Sequence, residues 1–145
     1  MARSGGVRFR GPRLKIFKGL RVLVVDDDLD SRDIVCTLLV HGGASVFCAD
    51  SAAEALVEFV ASGTVYDAVV SDLAMPTRDG FWLIRQLKRE ASAAGRSIRA
   101  VALTGHAGPD VRAAALGCGF DVLLTKPFAV EALYRALLDP VPKAG

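Results

Sequence analysis

Four short stretches hold side chains whose types and spacing could do chemistry: Asp26-Asp27-Asp28, Asp72 inside Val69–Pro76, Leu103-Thr104-Gly105, and Leu124-Thr125-Lys126-Pro127-Phe128. Asp26, Asp27, Asp28, Asp72, Thr104 and Lys126 among them offer several carboxylates, one hydroxyl and one ammonium. Carboxylates crowded together repel one another unless a cation or a proton intervenes. Oxygen-only donors favour Mg²⁺, which takes few protein carboxylates and keeps places for water and a phosphate oxygen. An aspartate beside such an ion can attack phosphorus. The oxygens of the transferred group then need stabilising from several sides, and the ion, the Lys126 ammonium and the Thr104 hydroxyl would supply them.

Those stretches need elements to position them. From Leu20 onward, short β-branched runs alternate with helical-period segments. The pattern predicts strands over Arg21–Val25, Ser45–Cys48, Ala68–Ser71, Ala100–Leu103 and Asp121–Leu124. It predicts helices over Ser31–His41, Ala52–Ser62, Gly80–Ala93, Pro109–Gly117 and Val130–Leu138. Asp30 or Ser31 can cap the first helix and Gly42-Gly43 can end it, while Asp50 or Ser51 and Gly63 bracket the second. Five βα units in a row imply an α/β fold, a parallel sheet with helices on both faces. Ligands of such sheets sit beyond the carboxyl ends of the strands. All four stretches fall there. Each alone is commonplace, since acidic pairs, Thr-Gly and Lys-Pro-Phe are often plain turns. Their order on successive strand ends carries the reading.

With these pieces in view, residues 20–138 resemble a response-regulator receiver domain of two-component systems, through LRVLVVDDD, VVSDLAMPTRDG, VALTGHAG and LLTKPF. The resemblance implies a flavodoxin-like, doubly wound sheet of strand order 2-1-3-4-5. It implies that Asp72 is the phospho-acceptor, with Asp26, Asp27, Asp72 and the backbone carbonyl of Ala74 holding Mg²⁺. Thr104 would be the switch hydroxyl, Lys126 the cation that pairs with the phosphate, and Lys126–Pro127 a cis peptide bond. Asp28 and Asp30 read as solvated cap residues rather than ligands.

Two departures from the family pattern stand out. Many receivers carry Tyr or Phe three residues before the lysine, where this chain has Leu123, so a different conformational readout is expected. Ala74 and His106 lie two residues beyond the acceptor and the hydroxyl residue, flanking the path of an attacking water, and Ala74 cannot orient one. Slow hydrolysis follows. Trp82, beside Phe81, is expected to pack along a neighbour, or else to face a partner.

The rest of the composition narrows the class. A length of 145 residues with 52% hydrophobic and 23% charged suits one domain with a sizeable core. No apolar run approaches the roughly 18–20 residues that span a bilayer, and a soluble cytoplasmic protein is expected. Arg3, Arg8, Arg10, Arg13, Lys15 and Lys18 precede any acidic residue, leaving twelve basic against sixteen acidic residues beyond them. Residues 1–19 thus read as a flexible basic arm, 20–139 as the receiver-like domain and 140–145 as a short tail. Cys36, Cys48 and Cys118 lack CxxC spacing and read as three separate small apolar residues.

By resemblance, the phosphoryl donor would be a sensor histidine kinase or a histidine phosphotransfer protein. No helices remain for a DNA-binding output, so a downstream protein would be met through the fourth helix, fifth strand and fifth helix. The chain would be a monomer or weak dimer, free-standing or a piece of a hybrid kinase, which the opening Gly19 to Asp28 also resembles. Two alternatives compete. Asp26-x-Asp28 resembles the haloacid-dehalogenase signature, with Asp26 as nucleophile of a phosphohydrolase, although Asp30 stands where that pattern needs Thr or Val. A degenerate receiver serving only as a binding module is the other, and the presence of Asp72, Thr104 and Lys126 opposes it.

Overall fold

Apolar runs too short for helices become strands here because the sheet is covered on both faces, so every strand position can be buried. The computed structural model describes residues 14–138. In chain order the elements are β1 (Arg21–Val25), α1 (Leu29–His41), β2 (Ser45–Ala49), α2 (Ala52–Ala61), β3 (Ala68–Asp72), α3 (Gly80–Ala93), β4 (Arg99–Thr104), α4 (Pro109–Cys118), β5 (Val122–Thr125) and α5 (Val130–Leu138). All neighbouring strands pair in parallel, in the order β2-β1-β3-β4-β5. The expected architecture is the one observed.

The register sets the site. Val25 pairs with Ser71, Asp72 with Leu103, and Thr104 with Thr125. Asp26, Asp72, Thr104 and Lys126 therefore all stand within one residue of their strands' ends, on the four consecutive strands β1, β3, β4 and β5. Side-chain alternation divides the core between the two faces. Leu23, Val69, Ala100 and Leu123 pack with α2, α3 and α4 residues such as Ala55, Leu83 and Ala115. Val22, Val24, Val70 and Leu103 pack with Leu39 of α1 and Leu133 of α5.

Helix starts differ slightly from the periodicity. The cap of α1 is Asp28, not Asp30 or Ser31, because its carboxylate accepts the Ser31 N–H at 2.9 Å. Ser51 caps α2 through the Glu54 N–H, and Glu54 accepts in return from the Asp50 N–H, a variant of the capping box. Asp121 lies just outside β5, where its carboxylate accepts the Ala100 N–H at 2.8 Å and pairs with Lys88.

Two expectations are corrected. Cys36 and Cys48 are joined as a disulfide, Cα–Cα 6.8 Å, because α1 packs over β2 and brings together thiols twelve residues apart; Cys118 is free. The proposed boundary after residue 19 also falls inside packed chain. The Leu14 and Phe17 N–H groups donate to the His41 and Gly42 carbonyls at 2.9 and 2.8 Å. Phe17 is 2% exposed, edge-on to Tyr134 with centroids 4.9 Å apart, in space that a side chain at Gly42 would fill. Residues 14–19 thus close one end of the α1–α5 face. The remainder of the predicted arm, 1–13, and the tail from 139 lie outside the described residues.

Phe17→Ala is expected to cost about 3 kcal/mol, the low end for a buried aromatic truncation. Urea denaturation monitored by circular dichroism checks it; an unchanged midpoint would mean the segment is a mere leader.

Candidate functional site

The site begins with Asp26, directly after β1 and 1% exposed. A buried carboxylate needs partners. It has them: Oδ1 accepts the Asp28 N–H at 3.0 Å and Oδ2 accepts from Lys126 Nζ at 3.1 Å. The Arg32 guanidinium donates to the Asp26 carbonyl at 2.8 Å, a contact one helical turn into α1 that the motif spacing did not single out.

Asp72 closes β3 and is half-buried. Lys126 Nζ lies 3.6 Å from its Oδ1, so one ammonium reaches two carboxylates. Asp27 is exposed and completes a group in which Asp26, Asp27 and Asp72 each offer an oxygen within 4.8 Å of the others. Asp28 is occupied as the helix cap, as its solvated reading anticipated. Three carboxylates against one ammonium leave an excess of negative charge, and an all-oxygen donor set with an exposed member suits a hard divalent cation. Burial, and then the neighbouring Asp26 and Asp27 charges, push the Asp72 carboxyl above the usual aspartate range; Lys126 and the Leu73 N–H pull the other way without cancelling them.

The loops complete the pocket. Gly80, the first residue of α3, packs against the acceptor strand. A Cβ there would collide with the Asp72 carbonyl oxygen. Thr77, in the loop between β3 and α3, takes φ 70°, an unusual backbone for a β-branched residue beside the site. Thr104 is 8% exposed, and its hydroxyl is turned onto its own loop, donating to the His106 carbonyl at 2.9 Å and accepting the His106 N–H at 3.1 Å. Beside it opens a cavity of about 500 Å³ lined by Ala74, Met75, Phe81, Thr104, His106 and Val111. Lys126–Pro127 is cis, and the Lys126 N–H donates to the Thr104 carbonyl at 2.7 Å. Leu123 is 4% exposed within the core on the α2–α3–α4 side. Trp82 packs half-buried against the same core, with the Arg78 guanidinium 4.9 Å over its ring.

The structure thus brings Asp26, Asp27, Asp72 and Lys126 together, and sets Thr104 and Ala74 at the adjoining cavity.

Comparison with known proteins agrees with this geometry. The model of the response regulator receiver domain matches residues 22–138. The response regulator MprA of Mycolicibacterium vanbaalenii is 40% identical over 122 residues, 82% of this chain and 50% of that protein. The chain spans about half the length of that relative. Among solved structures, the chemotaxis protein CheY4 of Vibrio cholerae superposes with a TM-score of 0.73 at 27% identity, covering 81% of this chain and 95% of that one. The receiver domain of the histidine kinase CKI1 from Arabidopsis thaliana, complexed with Mg²⁺ and BeF₃⁻, gives 0.71 at 27% identity, covering 85% and 90%.

The raised Asp72 pKa has a consequence for stability. A carboxyl that ionises less readily folded than unfolded costs nothing below its unfolded pKa, and its full penalty applies above its folded one. Asp72→Asn is therefore expected to raise Tm at neutral pH by a few degrees. That gain should shrink as pH falls through the raised pKa and vanish below the ordinary aspartate range. Calorimetry across pH checks it, and a pH-independent difference would refute the carboxylate origin.

Proposed function

The chain belongs to the response regulator receiver domain family, and from that premise we propose that it takes a phosphoryl group on Asp72 from a histidine kinase or histidine phosphotransfer protein. The observation that carries the assignment is Lys126, whose ammonium stands between Asp26 and Asp72. Asp26, Asp27, Asp72 and the Ala74 carbonyl would hold Mg²⁺, which neutralises phosphoryl oxygens when bound. An Asp72 carboxylate oxygen attacks phosphorus, the new P–O bond forms, and the P–N bond to the donor imidazole breaks. Asp72 is the member of the cluster suited to this attack, being partly accessible where Asp26 is sealed. The same contrast disfavours the phosphohydrolase reading, which needs Asp26 as nucleophile.

Lys126 then serves the phosphoryl oxygens in place of the Asp72 carboxylate. The Thr104 hydroxyl must exchange its bond to the His106 carbonyl for a phosphoryl oxygen, and the adjoining cavity leaves room for that rearrangement. Phosphorylation acts as a population shift, favouring the arrangement in which both groups reach the phosphate. With Leu123 in the core, the readout runs through this loop rather than through an aromatic swing. The change is read by a protein partner on the face of α4, β5 and α5, where Leu116 and Val130 are 45% and 39% exposed. The domain would act as a monomer or weak dimer in the cytoplasm, where such donors work. Among the described residues no helix is long and apolar enough to cross a membrane.

Incubation with acetyl phosphate and Mg²⁺ is expected to add roughly 80 Da, one phosphoryl group, to the intact mass. The adduct should be lost in Asp72→Asn and strongly reduced without the metal. An adduct that survives Asp72→Asn but requires Asp26 would overturn the assignment. The methyl side chain of Ala74 cannot hold an attacking water, so Ala74→Asn should shorten the phosphoryl lifetime by about twofold to tenfold, the rate equivalent of one net hydrogen bond. An unchanged half-life in a phosphate-release assay would count against that role.

A further inference from the structure

The edge of the sheet at β2 carries a groove away from the acceptor. Helix α2 is apolar on two sides: Ala52 and Ala55 are buried, while Val57 and Val60 are 65% and 56% exposed on the other. A surface helix normally turns polar residues outward. Between this outer stripe and β2 lies a groove of about 380 Å³, with Phe47, Ala53, Val57 and Ala61 along it and Glu54 and Glu58 at its rim. Among the described residues that line it, none is basic.

The described chain begins beside this edge. The Leu14 N–H bonds the His41 carbonyl, and the Leu14 carbonyl presses on Gly43, two residues before β2 starts at Ser45. Upstream stand thirteen residues with four arginines (Arg3, Arg8, Arg10, Arg13), no acidic group, and Val7 and Phe9 interleaved among the basic ones. Thirteen extended residues reach about 43 Å. The groove follows α2 for little more than its ten residues, about 15 Å at the helical rise. Length and charge both match. A second copy fits less well, since a two-fold contact through this face would set Glu54 and Glu58 against their own kind.

We propose that residues 1–13 of this same chain occupy the α2–β2 groove, with Val7 and Phe9 on its apolar surface and the arginines answering Glu54 and Glu58. The basic segment is then an internal ligand of an acidic apolar face, and it covers the exposed stripe of α2.

A photoreactive benzoylphenylalanine in place of Val57, in the full chain, tests this. Irradiating a mixture of ¹⁵N-labelled and unlabelled protein and digesting it should give cross-links to peptides from residues 1–13, with both halves carrying the same isotope. The double variant Arg8→Glu, Arg10→Glu should cut the yield by about threefold to tenfold, as expected for two exposed ion pairs converted to repulsion. Isotopically mixed cross-links would show the face joining two copies and overturn the proposal. Cross-links confined to residues outside 1–13, or none, would overturn it equally. A yield indifferent to the charge reversal would refute the role given to the arginines.

Discussion

One ammonium shared between two carboxylates is the interaction on which the rest of the site depends. Lys126 reaches from the end of β5 to Asp26 beyond β1 and to Asp72 on β3, binding three strand ends into one unit. A buried, unpaired aspartate at position 26 would be costly. The lysine and the Asp28 N–H remove much of that cost, yet the cluster still holds more negative than positive charge. Burial first, and then the charges of Asp26 and Asp27, keep Asp72 reluctant to ionise, and the excess negative charge makes the site receptive to a cation. Stability and chemistry oppose each other here, as they do wherever like charges are gathered for use.

The sheet makes this gathering possible. Parallel strands end on the same side, and with both faces covered by helices the polar ends are the natural exits toward solvent. Four of the strands change from apolar to polar at or near their last residue: Val25 to Asp26, Val70 to Ser71-Asp72, Leu103 to Thr104, and Leu124 to Thr125-Lys126. The register then fixes spacing that loops could not hold. Gly80 shows how tight the result is, since the start of α3 lies against the acceptor's own carbonyl and leaves no room for a Cβ. Thr104, by contrast, is held by hydrogen bonds within its loop, and these can be exchanged without disturbing the sheet.

Elements were legible where pattern and punctuation agreed. All five βα units fall where periodicity puts them, and α3 and α5 begin and end at the predicted residues, because the apolar stripe of each is set by near neighbours along the chain. The misread start of α1 has a local cause too. Several acidic or hydroxyl residues compete there for one capping position, and only the backbone path after β1 selects Asp28. Phe17 was hidden by composition: a lone aromatic among lysines and glycines reads as linker, and only its fit between Gly42 and Tyr134 makes it core. The Cys36–Cys48 pairing was hidden likewise, since nothing in a twelve-residue separation says that α1 lies over β2.

By itself the sequence determined the order of elements, the class of sheet and the identity of the groups at the strand ends. Hydrophobic period, turn residues and chemical type are all properties of neighbours along the chain. The tertiary structure decided which groups meet. The choice of Lys126 to bridge Asp26 and Asp72, and the gathering of Asp27 beside them, depend on distances across strands. Those distances are set by register and packing between residues up to a hundred positions apart, which no local pattern encodes.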